Sequence, residues 1–390
     1  MTHLGKLALA FVAASFAWQP SISFAQTPDE RIKQILNDWK VRKDRYKAVK
    51  YSMEGVVEAK YIPEMSGIDP KKLPKLPYSK PMSYEVLIDI TGGRFRIEKR
   101  EEVFSYSSGR FILRVTTNAY DRKAYQTFVP RVVNGLSPED SEISLMKGDL
   151  HQVHVEAELW PLFYAHGLIP TVNAPLRPDK WPTDHEPEDF IFRSSTPVAG
   201  KPCTVFRSEP MASSPGVFDE FYIGQTSDSP VLRHVYYSGK NPWYLIDVTY
   251  RKNENGSLPE KWELTHSIGG KVSHVYRLAV KSVEVNPAIT DADFTLPIEP
   301  GMLVSTSIYP EAGKGLDSTH PAQTTYRAGE SGSKTVLEAK GFTTTEGVQL
   351  PAEKDGWPRW SWWFAYALIG TGVLAALRWI VRRRISARLR

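Results

Sequence analysis

Three side chains between residues 151 and 158 have the types and the spacing of a metal site. His151, His154 and Glu158 fall at positions i, i+3 and i+7, so a helix would place them near one face. Two imidazoles and a carboxylate are a ligand set that zinc accepts. The segment lacks the HExxH signature, however, and His and Glu are also common on solvated helix faces. A metal-dependent hydrolase built on these three residues is therefore an alternative hypothesis.

Other catalytic patterns are missing from the sequence. It contains no Gly-x-Ser-x-Gly elbow, no P-loop and no Gly-x-Gly-x-x-Gly turn. Cys203 is the only cysteine, so the chain has no intramolecular disulfide, and we expect this thiol to fill space in the core. We therefore predict that the protein is not an enzyme and that it uses no cofactor.

The C-terminal end has the pattern of a membrane anchor. Residues 360–377 carry no charge, and the apolar stretch from Trp360 to Val381 gives roughly 33 Å of helix, enough to cross a hydrocarbon core. Tryptophans crowd the leading end, where indole rings settle at the headgroup level. Six arginines crowd the other end, which the positive-inside rule places in the cytoplasm. We predict a transmembrane helix over residues 357–381 and a basic cytoplasmic tail over residues 382–390.

The N-terminal end predicts export. Lys6 precedes an apolar run, and Ser23 and Ala25 are the small residues of a cleavage site, so residues 1–25 read as a signal peptide. Lys6 and the six tail arginines account for seven of the 49 basic residues, which leaves 42 against 44 acidic residues in 26–359. This near-neutral balance argues against nucleic acid as a partner. We expect a bacterial single-pass membrane protein with its bulk outside the cytoplasm.

Between these ends, apolar residues recur with the period of β-strands. A helix is predicted over residues 27–47, and then about a dozen alternating runs follow, such as the hairpin that turns at Gly92 and Gly93. A second helix is predicted over residues 150–168. Residues 305–356 are rich in Ser, Thr, Gly and Pro and predict a flexible linker. The fold class is mainly β (α+β), with one antiparallel sheet that curls on itself over residues 26–304.

The end of this region resembles a known family. Residues 283–301 read VEVNPAITDADFTLPIEPG, in which a strand that ends at Asn286 leads to Asp291, Phe294, Pro297 and Gly301 in a turn. This segment, together with the order of a first helix and a long sheet, resembles the LolA-like superfamily of periplasmic lipoprotein carriers and outer-membrane lipoprotein-sorting proteins. The resemblance implies an unclosed β-barrel whose helices lie on the concave face and whose concave face takes acyl chains.

This resemblance and the 45 aromatic residues of the chain together predict an apolar ligand site. We expect lipid or lipoprotein acyl chains to lie between the sheet and the helices. The same positions could instead be filled by the 150–168 helix, and the sheet would then serve an envelope sensor or scaffold that binds a protein partner. The predicted ligand-binding residues are Tyr84, Val86, Ile88, Phe95, Ile97, Val248, Tyr250, Tyr276 and Leu278.

Overall fold

One large sheet organises the chain. The computed structural model describes residues 27–62, 73–105, 109–130, 141–148, 155–171, 185–210, 214–226, 228–253, 256–309, 322–329 and 334–340. No helix within these stretches is both long and apolar enough to cross a membrane. The predicted signal peptide, transmembrane helix and cytoplasmic tail all lie outside the described residues.

Sixteen described strands form this sheet, and its two outermost strands do not pair with each other. The spatial order is β16-β15-β14-β6-β5-β4-β3-β2-β1-β13-β12-β11-β10-β9-β8-β7. The prediction of a mainly β, curled and unclosed sheet is thus confirmed. The strands are β1 (Ala48–Ala59), β2 (Tyr78–Asp89), β3 (Arg94–Ser105), β4 (Arg110–Tyr120), β5 (Ala124–Pro130), β6 (Ser141–Gly148), β7 (Phe190–Ser195), β8 (Cys203–Ser208), β9 (Val217–Gly224), β10 (Val231–Ser238), β11 (Asn241–Asn253), β12 (Gly256–Ile268), β13 (Lys271–Val285), β14 (Leu303–Tyr309), β15 (Ala322–Ala328) and β16 (Lys334–Lys340).

The hairpin of β2 and β3 shows how the alternating sequence sets the register. Val86 lies opposite Ile97 and Ile88 lies opposite Phe95, so the four apolar side chains share one face. The turn requires Gly93, whose φ of 69° is in the left-handed region that glycine favours. All four apolar residues are at most 1% exposed, and they form the centre of the main core.

The first helix, α1 (Pro28–Arg45), matches the predicted helix. Its N-terminus is a capping box, in which the Thr27 hydroxyl accepts from the Glu30 amide and the Glu30 carboxylate accepts from the Thr27 amide. Ile35 and Trp39 are buried on its inner side, within a cluster that also contains side chains of β7, β8, β9 and β10. Helix α1 therefore covers the β7 end of the sheet.

The flexible linker predicted over residues 305–356 is wrong for part of that range. β14, β15 and β16 lie within residues 303–340 and add three strands to the sheet, in which sixteen strands are described rather than the predicted dozen or so. β14 pairs in parallel with β6, so the sheet is not wholly antiparallel. Ser and Thr supply six of the 21 residues of these strands, and Thr has a high strand propensity that the polar composition conceals.

The predicted helix over residues 150–168 is also shorter than expected. Within the described residues 155–171, the inner segment, a 3-10 turn (Ala157–Leu159) leads directly into the five-residue helix α2 (Trp160–Tyr164). Pro161 is accepted in the first turn of α2, where its missing amide has no helical partner. Gly167, at a φ of 69°, ends the helical stretch.

Candidate functional site

The nine residues predicted to bind a ligand come together in one apolar cluster on the inner face of the sheet. Seven of them are buried, and Tyr250 and Tyr276 are partly buried against the others. The structure therefore brings together the whole predicted set, and their role in ligand binding stays a prediction. The seven buried residues are Tyr84, Val86, Ile88, Phe95, Ile97, Val248 and Leu278.

The inner segment covers this apolar face. Leu159, Leu162 and Phe163 are each 0% exposed and belong to the same cluster as the nine residues. The ring of Phe163 meets the ring of Phe95 edge-on, with centroids 6.4 Å apart. The place where an apolar ligand was predicted is thus occupied by side chains of the protein itself.

Two hydrogen bonds from the sheet hold the two ends of the inner segment. The Trp262 indole N–H donates to the main-chain oxygen of Glu158 over 2.7 Å. At the other end, the Tyr51 hydroxyl and Nε2 of His166 are 2.7 Å apart. Burial lowers the pKa of His166 to about 3, so this imidazole is neutral at pH 7.

A buried polar chain connects the middle of the inner segment to β8, β9 and β10. The Tyr164 hydroxyl lies 2.6 Å from Nδ1 of His234, and Nε2 of His234 lies 2.8 Å from an Asp219 carboxylate oxygen. The Asp219 amide in turn donates to the Ser208 hydroxyl over 2.9 Å. Arg42 of α1 donates to the main-chain oxygen of Tyr164 over 3.0 Å. Each member of this chain is at most 2% exposed, so it is a positioning network without access to a substrate.

Beside the apolar face lies a charged group of five side chains, Tyr84, Lys99, Glu101, Glu156 and Glu158, which we name the charge cluster. Nζ of Lys99 lies 3.0 Å from Glu158, 3.3 Å from Glu156 and 3.3 Å from Glu101. The Tyr84 hydroxyl donates to Glu158 over 2.9 Å. Glu156 and Glu158 belong to the inner segment, whereas the other three residues lie on β2 and β3. The cluster is therefore an ionic contact between the segment and the sheet.

The ionisation of the charge cluster is divided unequally between its carboxylates. Burial and the neighbouring Glu158 raise the pKa of Glu156 to about 7. Burial acts in the same direction on Glu158, but Lys99 together with hydrogen bonds from the main chain and from Tyr84 outweighs it, so the pKa of that carboxyl is lowered. The three carboxylates overcome the desolvation of Lys99 and raise its pKa. Near neutral pH, Glu156 is thus the member of the cluster that gains or loses a proton.

Five half-buried rings continue the inner face across β10, β11, β12 and β13, and we name them the ring strip: Tyr236, Tyr244, His266, His274 and Tyr276. Register places Tyr236 opposite Tyr244, Tyr244 opposite His266, and His266 opposite His274. Successive ring centroids are 5.8, 4.9, 6.2 and 6.1 Å apart. Unlike the apolar face under the inner segment, the ring strip keeps part of its surface in solvent.

The metal hypothesis concerned His151, His154 and Glu158. Both histidines lie outside the described residues. Glu158 is described, and its carboxylate contacts Lys99 and Tyr84. The described part of the chain contains no group of three or more His, Cys, Asp or Glu residues arranged to hold a metal ion.

Sequence reasoning singled out Tyr84, Glu158 and Tyr276 but not the charge cluster and the ring strip to which they belong, although the signal for the cluster was present. The alternation that places Phe95 and Ile97 on the inner face of β3 continues to Lys99 and Glu101. These two charges were therefore predictable as inward-facing. Their partners on the inner segment were not, because contacts between residues 59 positions apart depend on the tertiary fold.

Comparison with known proteins adds a likeness in structure but none in sequence. No protein-family model matches the chain, and no curated protein matches it. Among solved structures, it is similar to a Vibrio parahaemolyticus domain described as an outer membrane lipoprotein-sorting protein domain (11% identity, TM-score 0.38). It is also similar to a LolA superfamily protein from Nitrosomonas europaea (12%, 0.36) and a DUF1329 family protein from Desulfovibrio piger (10%, 0.34).

Each of these three matches covers 68% of this chain and 97% of the other. At TM-scores this low, a function has to be supported by the residues of the site themselves. The chain is thus similar in structure to proteins of the LolA superfamily and of lipoprotein sorting.

Proposed function

We propose that this protein binds an apolar or acylated molecule, a lipid or a lipoprotein acyl chain, on the inner face of its sheet. The ligand takes the place of the apolar side chains of the inner segment. One observation supports this most strongly: a broad apolar face is covered by a short segment that is only partly helical. Its cover is short and irregular, so removing it exposes a preformed apolar surface without unfolding the sheet.

The energetic cost of that exchange is moderate because the ligand replaces what the segment loses. Uncovering Leu159, Leu162 and Phe163 costs about 1.5–3 kcal/mol for each side chain if water takes their place. An acyl chain in the same position restores most of that burial, at about 0.8 kcal/mol for each methylene group. In the covered state, the inner segment lies on the apolar face. The free energy that still favours this state then comes from its hydrogen bonds with Tyr84, Trp262 and Tyr51.

The predicted ends of the chain place this binding site at a membrane. We infer from the sequence that residues 1–25 direct export and that the apolar stretch from Trp360 to Val381 anchors the protein in a bacterial cell membrane, with its bulk outside the cytoplasm. The same anchor does not suit a carrier that must diffuse between two membranes. We infer that the protein acts where it is anchored and that it is a binding protein rather than an enzyme.

One observation favours a second candidate, an envelope sensor or scaffold that binds a protein partner. The inner segment already fills the apolar face, as a permanent core would require. In that case the segment never leaves and no lipid enters. The metal-dependent hydrolase is a third candidate, and elemental analysis of the purified protein tests it through stoichiometric zinc that disappears in His154→Ala.

The substitution Tyr84→Phe separates the first two candidates. It removes the hydroxyl that donates to Glu158 but keeps the ring in the core, which weakens the covered state by about 1 kcal/mol. If a ligand must displace the segment, its apparent Kd falls by about fivefold. Thr127→Val is the matched control, because it removes a hydroxyl that donates to Asn118, away from the segment.

The measurement is the binding of a fluorescent fatty acid to the full chain in non-ionic detergent. We expect tighter binding for Tyr84→Phe and unchanged binding for Thr127→Val. Binding that is equal in all three proteins would show that the segment does not control the site. A folded wild-type chain that binds no fatty acid, and that carries no lipid in native mass spectrometry, would support the partner-binding candidate instead.

A further inference from the structure

The ring strip offers a ligand several flat surfaces and one unoccupied acceptor. Burial lowers the pKa of His266 and of His274, so both imidazoles are neutral at pH 7 and add no positive charge. The Trp243 indole N–H donates to Nε2 of His266 over 2.6 Å. The Ser273 hydroxyl donates to the main-chain oxygen of Tyr61, so it accepts from Nδ1–H of His274. Nε2 of His274 is then the unprotonated nitrogen, an acceptor.

The charge cluster lies close enough to influence these rings. Its carboxylates act on His274 and Tyr276, and Glu158 also acts on Tyr244 and His266. Among the described residues, the three carboxylates of the cluster face two cations, Lys99 and Arg114, of which Arg114 pairs with Glu101. With all five groups ionised, the excess is one negative charge. The side chain of Glu156 is 27% exposed, so this charge is accessible from solvent.

These two features require the same kind of partner. The faces of tyrosine rings attract cations, and an ammonium group is attracted most strongly where water is partly excluded. The acceptor nitrogen of His274 can accept from an N–H donor, and so can the partly exposed carboxylate of Glu156 in addition to its contact with Lys99. One end of an alkylammonium ion supplies the positive charge and the N–H donors. Its other end is an apolar body that can extend onto the inner face of the sheet.

We propose that the ring strip and the charge cluster form a subsite for the ammonium group of an amphiphilic ligand, with Glu156 as its counter-ion. This subsite rests on the proposed function, since it assigns a head-group chemistry to the apolar ligand of the same face. The head group binds while the inner segment still holds Glu156 beside the sheet, and the apolar body then replaces the side chains of Leu159, Leu162 and Phe163. It predicts discrimination between ligands that share one hydrocarbon chain and differ only in the charge of the head.

Three six-carbon probes test this discrimination: hexylammonium, 1-hexanol and hexanoate. Each is titrated into the full chain in a maltoside detergent, with protein-free micelles as the blank, and binding is measured by calorimetry at pH 8. We expect hexylammonium to bind about tenfold more tightly than hexanol, and hexanoate to bind most weakly. The preference for hexylammonium should shrink at pH 5.5, where Glu156 is protonated.

Three variants identify the residues responsible, and a fourth serves as the control. Glu156→Gln should remove most of the preference for hexylammonium over hexanol, and Tyr244→Leu should reduce it while Tyr244→Phe retains it. Glu85→Gln removes a carboxylate from an exposed position of β2 and should change nothing. Far-ultraviolet circular dichroism verifies that each variant has a folded sheet.

The outcomes separate this proposal from the proposed function. Equal affinities for the three probes would overturn the ammonium subsite and leave apolar binding intact. A preference that survives both Glu156→Gln and Tyr244→Leu would overturn the assignment of the subsite to these residues. Failure of all three probes to bind, together with failure of the fluorescent fatty acid, would overturn both proposals.

Discussion

The contact between Lys99 and the carboxylates of the inner segment gives the most quantitative prediction. The side chain of Lys99 is 8% exposed, and its ammonium group contacts Glu101, Glu156 and Glu158 within 3.3 Å. Lys99→Met keeps the length and the packing of the side chain but removes its charge. Three carboxylates then face each other in a partly dehydrated site, and breaking a buried ion pair in this way costs about 3–5 kcal/mol.

A surface pair with a similar distance is the control. Lys281 lies 2.8 Å from Glu54, but their side chains are 55% and 63% exposed. Water screens such a pair, so Lys281→Met should lower the free energy of unfolding by at most about 1 kcal/mol. The two variants remove the same group from similar distances, and therefore the difference between them measures the effect of burial.

The assay is urea unfolding of the full chain, followed by tryptophan fluorescence at pH 7 and at pH 5. Without Lys99, the folded-state pKa of Glu156 rises further above that of an unfolded glutamate, and the pKa of Glu158, which Lys99 holds low, rises as well. The free energy of unfolding is then retained at low pH and lost as the pH rises through the folded-state pKa values of these carboxyl groups. The destabilisation by Lys99→Met should thus be smaller at pH 5. A loss at pH 7 no greater than that of Lys281→Met would refute this account of the cluster.

Two further predictions concern the inner segment. The pKa of Glu156 is about 7 in the folded protein and 4.5 for an unperturbed glutamate. The free energy of unfolding should therefore fall by up to about 3 kcal/mol as the pH rises from 4.5 to 7. Glu156→Gln should abolish this fall. His166 has the opposite effect, because its pKa is about 3 in the folded protein and 6.5 for an unperturbed histidine. The free energy of unfolding should fall by about 2 kcal/mol as the pH is lowered from 6.5 to 5. His166→Gln should abolish this fall. Urea unfolding across this range measures both, and parallel pH profiles for the two variants would contradict the assignment. Gly167→Ala should be strongly destabilising, since its φ is 69° and the added Cβ would lie 2.1 Å from the main-chain oxygen of Trp39. Gly200→Ala is the control: the φ of Gly200 is 77° with open space around it, so the substitution should lower the free energy of unfolding by only about 1 kcal/mol. Equal losses at the two glycines would show that the inner segment can shift away from Trp39 to accommodate the added Cβ.

Much of the sheet was predictable because one-sided burial leaves a period of two in the sequence. The β2–β3 hairpin followed from the alternation of Val86, Ile88, Phe95 and Ile97 around Gly93. The N-terminus of α1 followed from its capping residues. Both signals are local, so no knowledge of distant partners was needed to read them.

The failures have a common cause in contacts over long sequence distances. β14 was read as the start of a linker because its pairing partner is β6, more than 150 residues earlier, and its Ser and Thr residues resemble a linker in composition. The inner segment was read as a full helix because its apolar content fitted one, although Pro161 and Gly167 restrict the helix to five residues. The nine predicted residues lie together in one cluster, and their role in ligand binding stays a prediction. Glu156 and the ring-strip members other than Tyr276 became visible only through tertiary contacts.

The proposal that an apolar ligand enters against the inner segment is tested most directly by photoaffinity labelling. A fatty acid carrying a diazirine in its chain is irradiated with the full chain, and the labelled peptides are identified by mass spectrometry. We predict label on inward-facing residues of β2, β3 and β11 and on residues 155–171, all of it competed away by unlabelled fatty acid. Label that is absent, that is not competed, or that is confined to the outward-facing residues of the same strands would contradict this proposal.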